Sequence, residues 1–304
     1  MQNIFIIGAG AIGRVLAVAL GIHQRNVVLL RGSTPDQQRE TRLIRVKTPG
    51  AQLEYPVVID SLENHPVLDG IVVLTNKSFG NAALARALKC KTGDSPVVLL
   101  QNGLEVEMPF LQEGFTDLYR CVLFATSQFA DDGGLRFKPV APSPVGAIRG
   151  SGARLADLTA QLDTPVFPFR AERNMQPIIW KKAIANCVFN SICPLLETDN
   201  GLFHRNEKAM ALARRVIGEC VGVARAKGVE IGEEEVVDSV VTISQMSDGQ
   251  LISTLQDIRH HRPTEIDTLN LAIAKMADDM QKAGEVSATR LLGELTRLKS
   301  EINL

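Results

Sequence analysis

The segment WKKAIANCVFN at 180–190 sets Lys182, Asn186 and Asn190 four residues apart. In a helix these three share one face over roughly 12 Å of axis. Their neighbours Ile184, Cys187, Val188 and Phe189 are apolar. A buried polar group without a partner costs about 1–3 kcal/mol, so the stripe either faces water or is met by something polar. An ammonium there could stabilise an oxyanion and donate a proton, and amides beside it could bind a ligand's oxygens. A second candidate is GAGAIG at 8–13: Gly8, Ala9, Gly10, Ala11, Ile12 and Gly13. It follows the apolar run IFII and opens the helical pattern AIGRVLAVAL. In that setting Gly8 permits a tight turn, Gly10 lets backbone approach a pyrophosphate, and Gly13 lets helix and strand pack. The helix N-terminus supplies free N–H groups for the phosphates.

The next strand bears on which dinucleotide would bind. NAD sites usually carry an acid about 20 residues on, to hold the ribose hydroxyls. Here VVLL ends in Arg31, followed by GSTP, with no acid before Asp36. A cation suits a 2′-phosphate, so NADP(H) is expected over NAD(H); the alternative is a solvated surface arginine. Lys77 follows IVVLTN, and Asn102 follows VVLLQ in the turn QNG. Both fall at carboxyl ends of strands, where doubly wound sheets bind ligands. Lys77 could reach the same phosphate, and Asn102 could hold the nicotinamide end or a substrate. Otherwise they are a helix-start lysine and an ordinary turn.

These residues need a scaffold, and the pattern along the chain supplies one. Strands are expected at 4–8, 27–31, 71–75, 97–100 and 119–126, with helices at 12–20 and 79–89. Strand–helix alternation points to a Rossmann-type, doubly wound α/β sheet. From about 127 the chain is rich in Gly and Pro, with short strands expected at 135–139 and 164–169. Helical periodicity then dominates at 173–190, 207–227, 233–246, 264–282 and 286–300, with Gly228 and Gly284 as stops. The expected organisation is a dinucleotide-binding α/β domain over 1–170 and an all-α substrate and catalytic domain over 171–304. Lys182 then lies at the start of the helical domain.

Composition excludes several classes. Across 304 residues the net charge is -1, which gives no basis for nucleic acid or an anionic membrane as partner. The densest charge cluster, Glu233 to Glu235, reads as a helical first turn. No apolar run approaches the roughly 18 residues of a membrane span. The N-terminus lacks a basic signal-peptide region. The cysteines are scattered and odd in number, at 90, 121, 187, 193 and 220. That suits a reducing cytoplasm and argues against disulfides or a zinc site. The five histidines form no metal motif.

The third motif is LISTLQDIRHHRPTEID at 251–267. Alone it reads as a loop and a helix start, with Glu265 in a first helical turn. Together with GAGAIG, Arg31, Lys77, QNG, W-x-K-x-x-x-N-x-x-x-N at 180–190 and NG at 200–201, it makes the chain resemble the ketopantoate (2-dehydropantoate 2-) reductase family over nearly its whole length. That resemblance implies Lys182, rather than Lys181, as the general acid. It implies Asn186, Asn190 and Asn200 as substrate contacts and Ser253 as the residue binding the substrate carboxylate. It implies Glu265 as an acid linked to cofactor and site, Arg31 and Lys77 as holders of the NADPH phosphate, and Asn102 as an asparagine near the nicotinamide. A nearby Glu265 would help keep Lys182 protonated, whereas burial alone would lower its pKa. His260 and His261 lie between matched positions, either beside the site or in a solvated loop.

The sequence departs from the family after the second asparagine, where Asn-Pro is usual. Here Ser191 follows Asn190 and proline comes only at Pro194. The segment from 127 to 146 matches loosely. These departures bear on the substrate more than on the reaction type. The implied function is NADPH-dependent reduction of 2-dehydropantoate to pantoate, on the route to pantothenate and coenzyme A. Alternatives are a relative acting on another 2-oxo or 2-hydroxy acid, with NAD or NADP, and a non-catalytic NADP-binding sensor. The helical domain could bury a homodimer face.

Overall fold

A computed structural model describes residues 2–32, 38–130 and 132–303. Asp36, the first acid after Arg31, lies outside them. The chain forms an N-terminal Rossmann-type α/β unit and a C-terminal helical unit. The first comprises 1–101 with 106–175; the second comprises 102–105 with 176–304. The division thus falls at 175/176, and Asn102–Glu105 joins the helical unit although it follows a strand of the first.

In the first unit the strands are β1 (Asn3–Ile7), β2 (Val27–Arg31), β3 (Glu40–Lys47), β4 (Gln52–Ser61), β5 (Gly70–Leu74), β6 (Val97–Leu99), β7 (Leu118–Cys121), β8 (Ala125–Phe129), β9 (Leu135–Pro139), β10 (Ser143–Arg149) and β11 (Phe169–Ala171). The helices are α1 (Ala11–Ile22), α2 (Asn81–Thr92), α3 (Met108–Gln112) and α4 (Gly152–Leu162). The strands form one sheet in the order β11-β10-β7-β6-β5-β1-β2-β4-β3-β9-β8. Its centre, β7-β6-β5-β1-β2-β4, is parallel throughout. Of these, β1, β2, β5 and β6 are largely buried and so read as near-continuous Val/Ile/Leu runs, whereas the first half of β4 is largely exposed. Ile4, Ile6 and Leu29 pack into one core, and Phe5, Ile7 and Leu30 into another on the opposite face. The carboxyl ends of β2, β1 and β5 therefore lie side by side.

Several expectations change in the structure. The run 119–126 is not one strand: it divides into β7 and β8, which lie far apart in the sheet. The strand expected at 164–169 begins only at Phe169, because Thr164 and Phe167 close a turn on each other. Gly284 sits inside a 3-10 turn, Ala283–Val286, instead of ending a helix.

The second unit contains α5 (Met175–Leu195, starting one residue early), α6 (Leu202–Arg205), α7 (Glu207–Ala226), α8 (Glu233–Met246), α9 (Ser253–Arg259), α10 (Asn270–Asp279) and α11 (Ser287–Ile302). The helix expected at 264–282 is broken into the 3-10 turn Ile266–Thr268 and α10. Among the described residues no helix is long and apolar enough to cross a membrane.

Candidate functional site

The glycine loop is tightly built. Gly8 has φ +118, and a methyl there would lie 2.5 Å from the Asn76 backbone nitrogen. A methyl on Gly13 would overlap the Gly8 carbonyl oxygen and lie 2.6 Å from Thr75 Oγ1. Thr75 Oγ1 donates to the Gly8 carbonyl at 2.9 Å, fixing the loop against the end of β5. Ala9, Ala11 and Ile12 are partly buried against the core beneath. Gly10 differs: it is exposed, and a methyl there would meet nothing within 4 Å. Gly10 also precedes α1 with no side-chain cap on that helix. Open space over uncapped helical N–H groups fits a dinucleotide's pyrophosphate.

Two further expected residues lie at neighbouring strand ends. Lys77 begins the turn after β5, directly after Asn76, which packs on Gly8. Arg31 ends β2, where the Leu30 carbonyl accepts the Gly8 N–H at 2.9 Å. The Arg31 side chain is engaged: it donates to Glu40 at 2.5 Å and to the Gln38 carbonyl at 2.8 Å. An acid therefore stands beside Arg31 after all, brought there through β3 rather than along the sequence.

The other expected residues belong to the helical unit. Lys182 and Asn186 are half-buried on α5, and Asn190 is buried. Lys181 is bound to Glu235 at 2.6 Å. Among the described residues Lys182 has no hydrogen-bond or ion-pair partner. Burial is what acts on it, and pulls its pKa below the ordinary lysine value. The help expected from Glu265 does not enter this balance. The Glu265 backbone carbonyl holds a local turn, accepting from the Thr268 N–H at 3.1 Å and hydroxyl at 3.0 Å. Lys182→Met should then stabilise the fold. Because Lys182's folded pKa lies below its unfolded value near 10.4, its charge opposes folding at neutral pH. That opposition fades as pH rises from the folded pKa towards the unfolded one. A gain of about 2–4 °C in Tm at pH 7, corresponding to ~1 kcal/mol, should shrink at alkaline pH. Calorimetry showing a loss of Tm at pH 7 would contradict the reading.

Asn190 is engaged within the helical unit. Its Oδ1 accepts from Ser253 Oγ (3.2 Å), Thr254 N (3.3 Å) and Thr254 Oγ1 (2.7 Å). It thus caps α9, whose own N-cap residue Ile252 cannot. Asn190 and Ser253 are thereby brought together. Ser191, where the family usually has proline, donates to the Cys187 carbonyl at 2.6 Å and is fully buried. Pro194, lacking an N–H, removes the helical bond to the Asn190 carbonyl.

Asn200 is buried, and its backbone is fixed by the Gln250 carbonyl (2.9 Å) and Ser244 Oγ (2.6 Å). Its Oδ1 is buried without a donor among the described residues. Such an acceptor calls for a partner. Asn102 is half-buried, in a segment held by Leu104 N donating to the Thr268 carbonyl at 2.7 Å. Next to it, Gly103 has φ +101, and a methyl there would overlap Thr268. Asn102 thus shares a local cluster with the Glu265–Thr268 turn. His260 and His261 are exposed and turn to the carbonyls of Gln256 and Asn303, so neither builds this cluster.

Two family models cover most of the chain. Ketopantoate reductase PanE/ApbA matches residues 4–138, and its C-terminal counterpart matches 174–299. The chain belongs to the ketopantoate reductase family. It is 27% identical over 310 residues to 2-dehydropantoate 2-reductase of Halobacterium salinarum, with 98% of each chain covered. The crystal structure of a PanE/ApbA family ketopantoate reductase from Ralstonia eutropha superposes with a TM-score of 0.83 at 25% identity, covering 99% of both chains. The ternary structure of D-mandelate dehydrogenase with NADH and anilino(oxo)acetate also superposes at 0.83, with 21% identity and 99% of both chains covered. That last likeness is one of fold. In this ketopantoate reductase family member, Glu40, Arg42 and Thr254 were not among the expected site residues. The alternating ETRLIRVK of β3 carried a signal for the first two, since period-2 spacing puts Glu40 and Arg42 on one face.

Proposed function

We propose that this chain reduces 2-dehydropantoate to pantoate with NADPH, Lys182 acting as general acid, in the reducing cytoplasm that its free cysteines suit. When bound, a reduced nicotinamide supplies the hydride; binding, orientation and the proton fall to the protein. The glycine loop would hold the pyrophosphate, and Arg31 and Lys77 the 2′-phosphate, with Asn102 near the nicotinamide. As the carbonyl becomes an alkoxide, negative charge grows on its oxygen. Lys182 Nζ stabilises that charge and transfers its proton to the oxygen, leaving a neutral amine and an alcohol. The single supporting observation is a half-buried lysine without a carboxylate partner. A paired lysine would be a weaker acid, whereas burial makes this one stronger. Asn186 and the Asn190 amino group can donate to substrate oxygens, Ser253 to the carboxylate. The Asn200 Oδ1 suits a hydroxyl donor, which the substrate carries at its far end. Glu265 would act through the Asn102 cluster it supports.

A second reading takes another 2-oxo acid, with NADH. Glu40, the first residue of β3 and paired with Arg31 at the end of β2, favours it, because a carboxylate there can accept from ribose hydroxyls. Steady-state oxidation of NADPH and NADH with 2-dehydropantoate and a panel of other 2-oxo acids decides between them. Preference for 2-dehydropantoate and NADPH supports the proposal. Turnover only of another acid moves the protein to the second reading. Nucleotide binding without turnover makes it a sensor.

A homodimer is also proposed. Leu291, Leu295, Leu298 and Ile302 are exposed along α11 at spacings of four, three and four. Such a ridge is what a helical partner covers. Light scattering should find a dimer in the wild type and a monomer in Leu295→Lys/Leu298→Lys. A monomeric wild type removes this part of the reading.

A further inference from the structure

The residues around Arg31 go beyond one phosphate-binding arginine. Glu40 stands between two guanidinium groups, 2.5 Å from Arg31 and 3.1 Å from Arg42. The sheet makes this arrangement. β2 and β3 flank β4, with Leu29 and Glu40 both registered to Ile59. Two residues on in each strand, on the same face, come Arg31, level with Ser61, and Arg42, level with Val57 because β3 runs antiparallel to β4, so that Glu40 lies between them. A third cation, Arg14 on α1, donates to the Ala9 carbonyl of the glycine loop at 2.8 Å. It lies within electrostatic reach of the group: burial lowers its pKa most, Arg42 and Arg31 lower it further, and Glu40 opposes them. Three cations and one carboxylate leave a surplus of two positive charges, which matches a phosphate monoester of about −1.5 to −2 at neutral pH.

We propose that Arg42 is a second phosphate-holding arginine of the cofactor site, and that Glu40, bridging Arg31 and Arg42, sets the choice between a 2′-phosphate and a 2′-hydroxyl. The proposal rests on the nicotinamide-dinucleotide reading above. Without a 2′-phosphate, Glu40 keeps both guanidinium groups oriented and offers an oxygen to the ribose hydroxyl. A 2′-phosphate uses the same donors and must compete with the carboxylate. Phosphate takes guanidinium forks by paired, charge-assisted bonds, so it can win. Glu40 thus weakens selectivity for the phosphorylated cofactor that Arg31 and Arg42 would otherwise enforce.

The test is titration calorimetry of the full chain with 2′,5′-ADP and 5′-AMP, which needs no turnover. Arg42→Met should weaken 2′,5′-ADP about tenfold, the loss of one charged hydrogen bond, and leave 5′-AMP unchanged. Glu40→Gln should tighten 2′,5′-ADP several-fold and leave 5′-AMP equal or weaker. Glu40 and Arg42 are on the surface, so thermal melts of both variants should match the wild type. An Arg42→Met variant that binds 2′,5′-ADP normally overturns the proposal. So does Glu40→Gln weakening both ligands alike. Wild type showing no preference for 2′,5′-ADP removes the NADPH reading. In that case a preference gained in Glu40→Gln still supports Glu40 as the selector, and none gained sinks both.

Discussion

Lys182→Ala should lose about 10²–10⁴-fold in kcat while binding NADPH as the wild type does, the range expected for removing a general acid. The pH profile adds a second reading. A general acid works while protonated, so the wild-type rate of reduction should fall as pH rises through the Lys182 pKa. Burial places that pKa below the usual lysine value near 10.4, and the alkaline limb should appear there. Lys182→Arg should remove the limb from the accessible range, because guanidinium keeps its proton. Steady-state kinetics with a fluorescence titration of the nucleotide separates chemistry from binding. Retention of kcat within tenfold in Lys182→Ala would falsify the assignment. A wild-type limb above 10.4 would contradict the desolvation argument even if the variant were dead.

The second large effect divides two glycines three residues apart. Gly13→Ala forces a methyl against the Gly8 carbonyl and Thr75, both anchored in the turn beneath. The expected cost is about 1–3 kcal/mol of fold stability, the range for overpacking. Gly10→Ala puts its methyl into open space at a backbone with φ −76. Its Tm without ligand should stay within about a degree or two of wild type. That methyl would, however, occupy the place where a pyrophosphate must approach, so nucleotide affinity should fall at least about tenfold. Thermal shift with and without NADPH reads both quantities at once, since ligand stabilises only what binds it. Equal NADPH-induced shifts in Gly10→Ala and wild type would show that the loop holds no dinucleotide.

What could be read from sequence follows from how local the cause is. β2 and α8 fall where expected, at 27–31 and 233–246, because a buried parallel strand and an amphipathic helix each carry their own period. α4 was missed because Gly- and Pro-rich surroundings hid the pattern GARLADLTAQL. β3 and β4 were missed because their outer halves are exposed and charged. The polar stripe of α5 was legible from spacing alone. The capping of α9 by Asn190 was not, since it joins residues more than 60 positions apart. Nor was the Arg31–Glu40 pair, which depends on β3 returning beside β4. Asn102 was identified from its turn, but its cluster with Thr268 needed the folded chain.

The membership of Asn102–Glu105 in the helical unit has a practical consequence for dissecting the molecule. A gene cut at residue 175 leaves the N-terminal α/β half as one continuous piece. It would strand a four-residue loop whose anchoring carbonyl, at Thr268, is left on the discarded piece. The polypeptide threads from one unit to the other and back before its final crossing, so the halves are interlaced in sequence rather than joined by a single tether. Fragments should therefore be recovered better by co-expression than singly.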